Sequence, residues 1–322
     1  MKQEVFEQHN QPFWQSFSTQ LENLEQGHRD SFRQFASHYR RLCQHLAIAR
    51  HRGYSQHLIV YLNDLMLRGH QMLHKRPSYF WLSLSHFLAV QFPQSIRTQW
   101  RYVMVATLLM YLPAILLIGA IQVEPDLVYL VIDSHQLSEY ESMYDPSSES
   151  LGKKRESSTD LQMFGFYIQN NIGIAFRTFA TGIVFALGSI FFLLFNGVFF
   201  GVVGGHLTEI GYNETFWTFV IAHSAFEVTA ITFAGAAGMK LGFTLLSPGA
   251  RTRAEALKQA ARECIPILYG MTIMLLIAAF IEAFWSSDHT LPATVKYSVG
   301  AAMWLLVIAY FTLAGRSKHE SR

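Results

Sequence analysis

The residues able to do chemistry in this sequence are few and lie close together. His223 and Glu227 stand four apart in FVIAHSAFEVTAITFAGAAGMKLG, a spacing that puts both side chains on one face of a helix. An imidazole and a carboxylate so placed can trade a proton, hold a cation or activate water. Upstream, Asn170 and Asn171 precede Arg177, and Asn196 interrupts a second apolar run. Amides and a guanidinium are the donors that a carboxylate removed from water requires. These six residues form the candidate polar site. Three readings of it stand open: a buried hydrogen-bonded staple between helices, a pocket for a proton, ion or polar head group, and a hydrolase in which Glu227 activates water with help from His223. No metal site, cofactor or catalytic residue is assigned. Two ligands at i,i+4 fall short of the three that a catalytic zinc site takes, and no HExxH-type sequence occurs.

The elements that must position these groups are apolar. Hydrophobic residues make up 51% of the 322, and after residue 102 they gather into runs long enough to cross a bilayer. A hydrocarbon core of roughly 30 Å takes about 20 helical residues. Residues 102–121, 176–202, 216–246, 264–285 and 295–315 meet that length. Helices satisfy every backbone polar group internally in lipid, so the expected fold is all-α: a polytopic membrane protein of five to six membrane helices with a soluble helical N-terminal segment. The start, MKQEVFEQHNQPFW, has no apolar signal region. Cys43 and Cys264 are too far apart in sequence and setting to imply a disulfide framework.

Charge orients this layout. Residues 1–101 hold 12 Lys/Arg against 6 Asp/Glu, whereas the loop 122–172 holds 9 acids against 3 bases. Basic segments stay cytoplasmic, so the N-terminus is expected inside and loop 122–172 outside. A count of five spans would strand Arg251, Arg253, Lys258 and Arg262, and the basic tail 316–322, on the outer side. Six spans, with three crossings between 173 and 247, fit the charges better and require a short or broken helix near Asn196–Ile210. Within the loop, the polar stretch 139–160 is expected to be mobile.

The first 101 residues read as amphipathic helices. Phe13, Phe17, Leu21 and Leu24 share a face; after Gly27, Phe32, Phe35, Tyr39, Leu42, Leu46 and Ala49 repeat it; Leu58, Leu62, Leu65 and Met72 form a third stripe. These stripes must cover one another, a second copy or a partner. Residues 78–92, rich in aromatics but too short to span, are either an interfacial helix anchored by Trp81, Phe87 and Phe92 or a buried core helix. The basic residues are spread through these helices, so nucleic acid is not an expected partner.

Glycines punctuate the membrane runs. Gly182, Gly188, Gly197 and Gly201, then Gly235, Gly238 and Gly242, allow helices to approach closely, and intramolecular packing is their expected use. Taken in order, Asn170-Asn171, Leu194-Phe195-Asn196-Gly197 with Gly201, His223-x-x-x-Glu227, Ala230-Ile231 and Gly235-Ala236-Ala237-Gly238 with Gly242 resemble the stage II sporulation protein M family (DUF95). One departure is Ser224, where the family pattern has glycine. The resemblance implies an integral protein of the bacterial cytoplasmic (inner) membrane. It also implies a scaffold or assembly factor of the cell envelope, as the namesake holds cell-wall hydrolases at the engulfing septum. On that reading protein partners engage residues 1–101 and loop 122–172, the lipid bilayer surrounds 102–315, and a homo-oligomer is an open option. A transporter with its polar site at His223 and Glu227 is the alternative, and an intramembrane hydrolase the third.

Overall fold

The computed structural model describes residues 2–25, 35–74, 80–147, 157–288 and 290–316. Gly27, Phe32, residues 148–156 of the polar loop stretch and most of the basic tail lie outside them. Among the described residues the chain is helical throughout, without strands, and its contacts separate it into two units, Met1–Ser83 and Leu84–Arg322.

The first unit is a three-helix domain of α1 (Gln3–Glu25), α2 (Phe35–His51) and α3 (Gln56–His74). The three apolar stripes face one another. Phe17 and Phe35 stack at 5.4 Å, and Leu21, Leu42, Leu62 and Leu65 are fully buried around them. Each such side chain contributes about 1.5–3 kcal/mol by leaving water. Polar contacts fix the register. Trp14 Nε1 donates to His45 Nδ1 at 3.0 Å, and the Arg68 guanidinium grips both oxygens of Glu25 at 3.0 Å. Burial holds the His45 imidazole below its ordinary value, with Arg41 and His9 adding to the effect, so it accepts the Trp14 hydrogen bond as a neutral ring.

The second unit opens with α4 (Phe80–His86), which carries the boundary between the units, a π-helical turn Phe87–Gln91 and α5 (Phe92–Thr98). Of the three proposed interfacial anchors, Trp81 is exposed, but Phe92 is not at a surface: its ring lies over Gly270, where a Cβ would come within 2.1 Å of it. Residues 84–98 therefore pack with the membrane bundle, and the unit boundary falls before the expected position at 101. Next come α6 (Trp100–Ile121), a 3-10 turn Pro125–Leu130, α7 (Ser134–Tyr144), α8 (Ser157–Ala180), a 3-10 turn Thr181–Ile183 and α9 (Leu187–Glu209). α10 (Asn213–Leu246), α11 (Arg253–Ile281), a π-helical turn Glu282–Ser286 and α12 (Ala293–Leu313) complete the chain.

Five helices, α6, α9, α10, α11 with its π turn and α12, are long and apolar enough to cross a membrane. α8 runs beside them. Near its start Phe164 meets Phe280 and Phe284 at the end of α11; at the other end, just beyond its last residue, Gly182 meets Gly238 of α10. So α8 traverses the same bundle, antiparallel to α9. Its Asn170, Asn171 and Arg177 keep its hydropathy low, which hides it from an apolar-run count. The break that a third crossing needs is at residues 181–186, where Phe185 and Ala186 take left-handed φ of 51° and 69°, and not near Asn196–Ile210, where α9 is continuous. Six helices thus alternate in direction. Both ends of the unit meet: Gln94 donates to the Gly315 carbonyl at 2.9 Å and Arg97 to that of Phe311 at 3.0 Å.

Two sequence expectations for the outer loop change. Residues 157–172 belong to α8, on which Asn171 is buried against Glu227 of α10. Residues 139–144 of the stretch expected to be mobile are helical in α7, where Leu137 is buried and Glu141 bonds His206 at 2.7 Å.

α10 is the axis of the bundle, packing on α6, α8, α9, α11 and α12. Close approach to the α8–α9 corner depends on Gly238, where a Cβ would sit 2.2 Å from Ser189 Oγ and 2.5 Å from the Phe179 carbonyl. At Gly242 it would lie 2.0 Å from the Ala186 nitrogen.

Epitope tags placed after Arg316 and at Ser147 are expected to be accessible from opposite faces of the membrane; labelling from one face overturns the six-helix order. Gly238→Ala should lower the stability of the purified protein by about 1–3 kcal/mol, read as a fall in thermal midpoint, whereas Gly119→Ala, with open space around its Cβ, should not. For a fragment of residues 1–83, His45 binds its proton more readily unfolded than folded. The thermal midpoint should hold above the ordinary His value of 6.5 and fall as pH drops below it. His45→Gln should flatten that dependence.

Candidate functional site

Helical spacing along α10 aligns Phe219, His223 and Glu227 toward the end of α11. That helix does not stop as an α-helix. It widens into the π turn Glu282–Ser286, and both terminal residues of the turn are buried. A π turn is a common way to aim side chains at a functional centre. Asn171 reaches in from α8. The result brings one ligating atom each of His223, Glu227 and Glu282 within 4.8 Å of one another.

Second contacts hold these groups in place. Asn171, 3% exposed, donates from Nδ2 to Glu227 Oε2 at 2.7 Å and itself accepts from Asn170 Nδ2 at 2.9 Å. His223 Nδ1 lies 3.1 Å from Ser286 Oγ, and the buried Lys296 ammonium of α12 donates to the Ser286 carbonyl at 2.9 Å. Glu282 Oε2 is buried with no hydrogen-bond partner. His223, Glu227 and Glu282 line a cavity of about 210 Å³, walled by aromatic side chains such as Phe199 and Phe219. Asn196 also lines it, although its amide is engaged by the Phe192 carbonyl at 2.6 Å.

The cavity has a cover and a floor. α7 covers it. Glu141 clamps this helix to His206 of α9 at 2.7 Å, and the Thr215 hydroxyl donates to the Tyr144 carbonyl at 2.6 Å. Tyr144 lines the cavity, and burial, with Glu282 nearby, pushes its phenol far above the ordinary range. The lining stops at Ile231. Beyond it residues 230–242 are all buried, so the pocket is blind on the side away from α7.

Charge balance is the unusual feature. At this spacing two carboxylates repel by about 3 kcal/mol or more at an effective dielectric near 20. Among the described residues no Lys or Arg forms an ion pair with either; Lys240 is taken by Glu263, across α10 and α11. A proton or a cation must therefore sit between them.

The structure brings Asn171, Asn196, His223 and Glu227 of the sequence candidates to the pocket. Asn170 touches it only through Asn171. Arg177 is exposed near the far end of α8 and does not reach Glu227; helical geometry puts it almost two turns beyond Asn171. Sequence reasoning missed Glu282, Ser286 and Lys296. The signal was present: Glu282 is the only acid in the run 264–285, and Lys296 the only base in 295–315. Ser224, at the departure from the glycine pattern, is buried and donates to the Ile221 carbonyl at 3.3 Å.

No curated protein and no solved structure matches the chain. The model of a domain of unknown function (DUF8413) matches residues 4–75, the three-helix unit. The model of stage II sporulation protein M matches residues 104–287, from α6 through the π turn that carries Glu282 and Ser286. Because that match covers more than half of the sequence and contains the whole His–Glu–Glu cluster, the chain belongs to the stage II sporulation protein M family.

Proposed function

We propose that this family member lies in the bacterial cytoplasmic membrane with its three-helix unit inside and α7 outside, and that it acts by binding a small polar or ionic ligand in the pocket beneath α7. The observation behind this reading is Glu282, a buried carboxylate whose Oε2 has no partner while it faces Glu227 and His223 across a cavity. A purely structural staple would satisfy its polar atoms, since an unpaired buried group costs about 1–3 kcal/mol. Polar groups kept inside a membrane at such cost mark sites of function. The closed far half of α10 favours a binding pocket over a through-going permeation path.

The scaffold reading, an assembly factor of the cell envelope, has its own support. The three-helix unit completes its core internally and still leaves Val60, Tyr61 and Leu67 exposed on α3, an apolar surface suited to a protein partner.

One complementation experiment separates the two. In a deletion strain with an envelope phenotype, Glu227→Gln and Glu282→Gln should insert normally and keep or raise the thermal midpoint of the ligand-free protein, because each removes a costly buried charge. They should nevertheless lose rescue by tenfold or more, roughly 1.4 kcal/mol per tenfold step. Full rescue by both, with loss only in Leu67→Asp, would reject the pocket and leave the scaffold.

A further inference from the structure

We propose that His223, Glu227 and Glu282 together bind one divalent transition-metal ion of the zinc, manganese or ferrous class. The assignment rests on the pocket reading above and names its ligand. The donor set is one imidazole nitrogen and two carboxylate oxygens, drawn from α10 and from the π turn after α11, with their ligating atoms within 4.8 Å of one another. Mixed nitrogen and oxygen donors of this kind suit first-row divalent metals better than magnesium or calcium, which take oxygen alone.

Each ligand keeps an atom for the metal, and His223 and Glu227 are each tethered through a second atom. Nδ1 of His223 is engaged by Ser286 Oγ, and in the tautomer that carries the proton on Nδ1 the Nε2 lone pair is left for a metal. Asn171 holds Oε2 of Glu227 and leaves Oε1. Oε2 of Glu282, 8% exposed as a residue, is unpartnered. Outer contacts that fix the ring and carboxylate of a ligand are a regular part of metal sites. Lys296 completes this shell by holding the Ser286 carbonyl.

Charge fits the same assignment. Two carboxylates with no basic side chain among the described residues paired to them carry a charge of −2 when ionised, which one divalent cation cancels. Three protein ligands also leave a coordination position, and the cavity adjoins the cluster. That is the pattern of a metal site open to a further ligand, in contrast to a closed structural one.

The test uses the full chain, purified in detergent without chelator and analysed for metals, then stripped and reloaded with Zn²⁺, Mn²⁺ or Co²⁺. About one equivalent of metal per chain is expected, with a lower thermal midpoint after stripping that reloading restores. His223→Gln and Glu282→Gln should lower the content tenfold or more, while Glu263→Gln, in the ion pair with Lys240, should not. His223→Cys loaded with Co²⁺ should show a thiolate-to-metal charge-transfer band, which a merely structural histidine would not produce. Wild-type protein that takes up no metal, or variants that hold as much as wild type, would overturn the assignment. If the wild type holds none and the two Glu→Gln variants still fail to rescue, the pocket stands and the metal falls. If they do rescue, both fall.

Discussion

Two carboxylates placed together in a low-dielectric bundle, with no lysine or arginine among the described residues to pair them, set the terms for the rest of this membrane unit. The repulsion between Glu227 and Glu282 must be relieved locally, and each surrounding element contributes. α8 brings the Asn171 amide, α10 the His223 imidazole, and the π turn the Ser286 hydroxyl that orients it. α12 places a buried lysine one residue further out, on the Ser286 carbonyl and not on a carboxylate. Had Lys296 reached Glu282 directly, the site would be a closed ion pair with no capacity left for a ligand.

The same constraint explains why α10 has two unlike halves. On the α7 side its face carries large and polar side chains, Phe219, His223 and Glu227, and neighbouring helices stand far enough apart to leave a cavity. On the other side it carries the small run Ala234-Gly235-Ala236-Ala237-Gly238, and the α8–α9 corner presses onto Gly238 and Gly242. Close backbone packing there excludes water and closes the floor beneath the charges. Without it, water entering from the far side would screen the carboxylates, and the pocket would become a leak.

How much of this was legible in the sequence depends on how local each feature is. Helical period revealed the stripes of α1 to α3, and His223-x-x-x-Glu227 revealed one side of the pocket, because both are properties of a single helix. The charge of the loops suggested six crossings; five helices are long and apolar enough to cross, and α8 runs beside them. The position of the break was not legible, since Phe185 and Ala186 are not residues that announce a left-handed turn; the corner exists because Gly182, Gly238 and Gly242 admit it from across the bundle. Arg177 looked close to Asn171 along the chain, yet one helix carried the two apart. Glu282 was the converse case: 55 residues from Glu227, it became a neighbour only when α11 turned back and widened into a π turn.

The division of the chain carries a last consequence. The stage II sporulation protein M match begins at residue 104, within α6, and ends at residue 287, one past Ser286. Every group that touches the carboxylates therefore lies in the matched part, whereas Lys296 and the three-helix unit lie outside it. The three-helix unit has its own core and its own family match, so its folding does not require the pocket. The proposed ligand site in the shared membrane part and the separate helical module at its N-terminus can therefore be varied independently by evolution. On that proposal, pocket chemistry follows the membrane domain, and any partner of the three-helix unit follows the module attached to it.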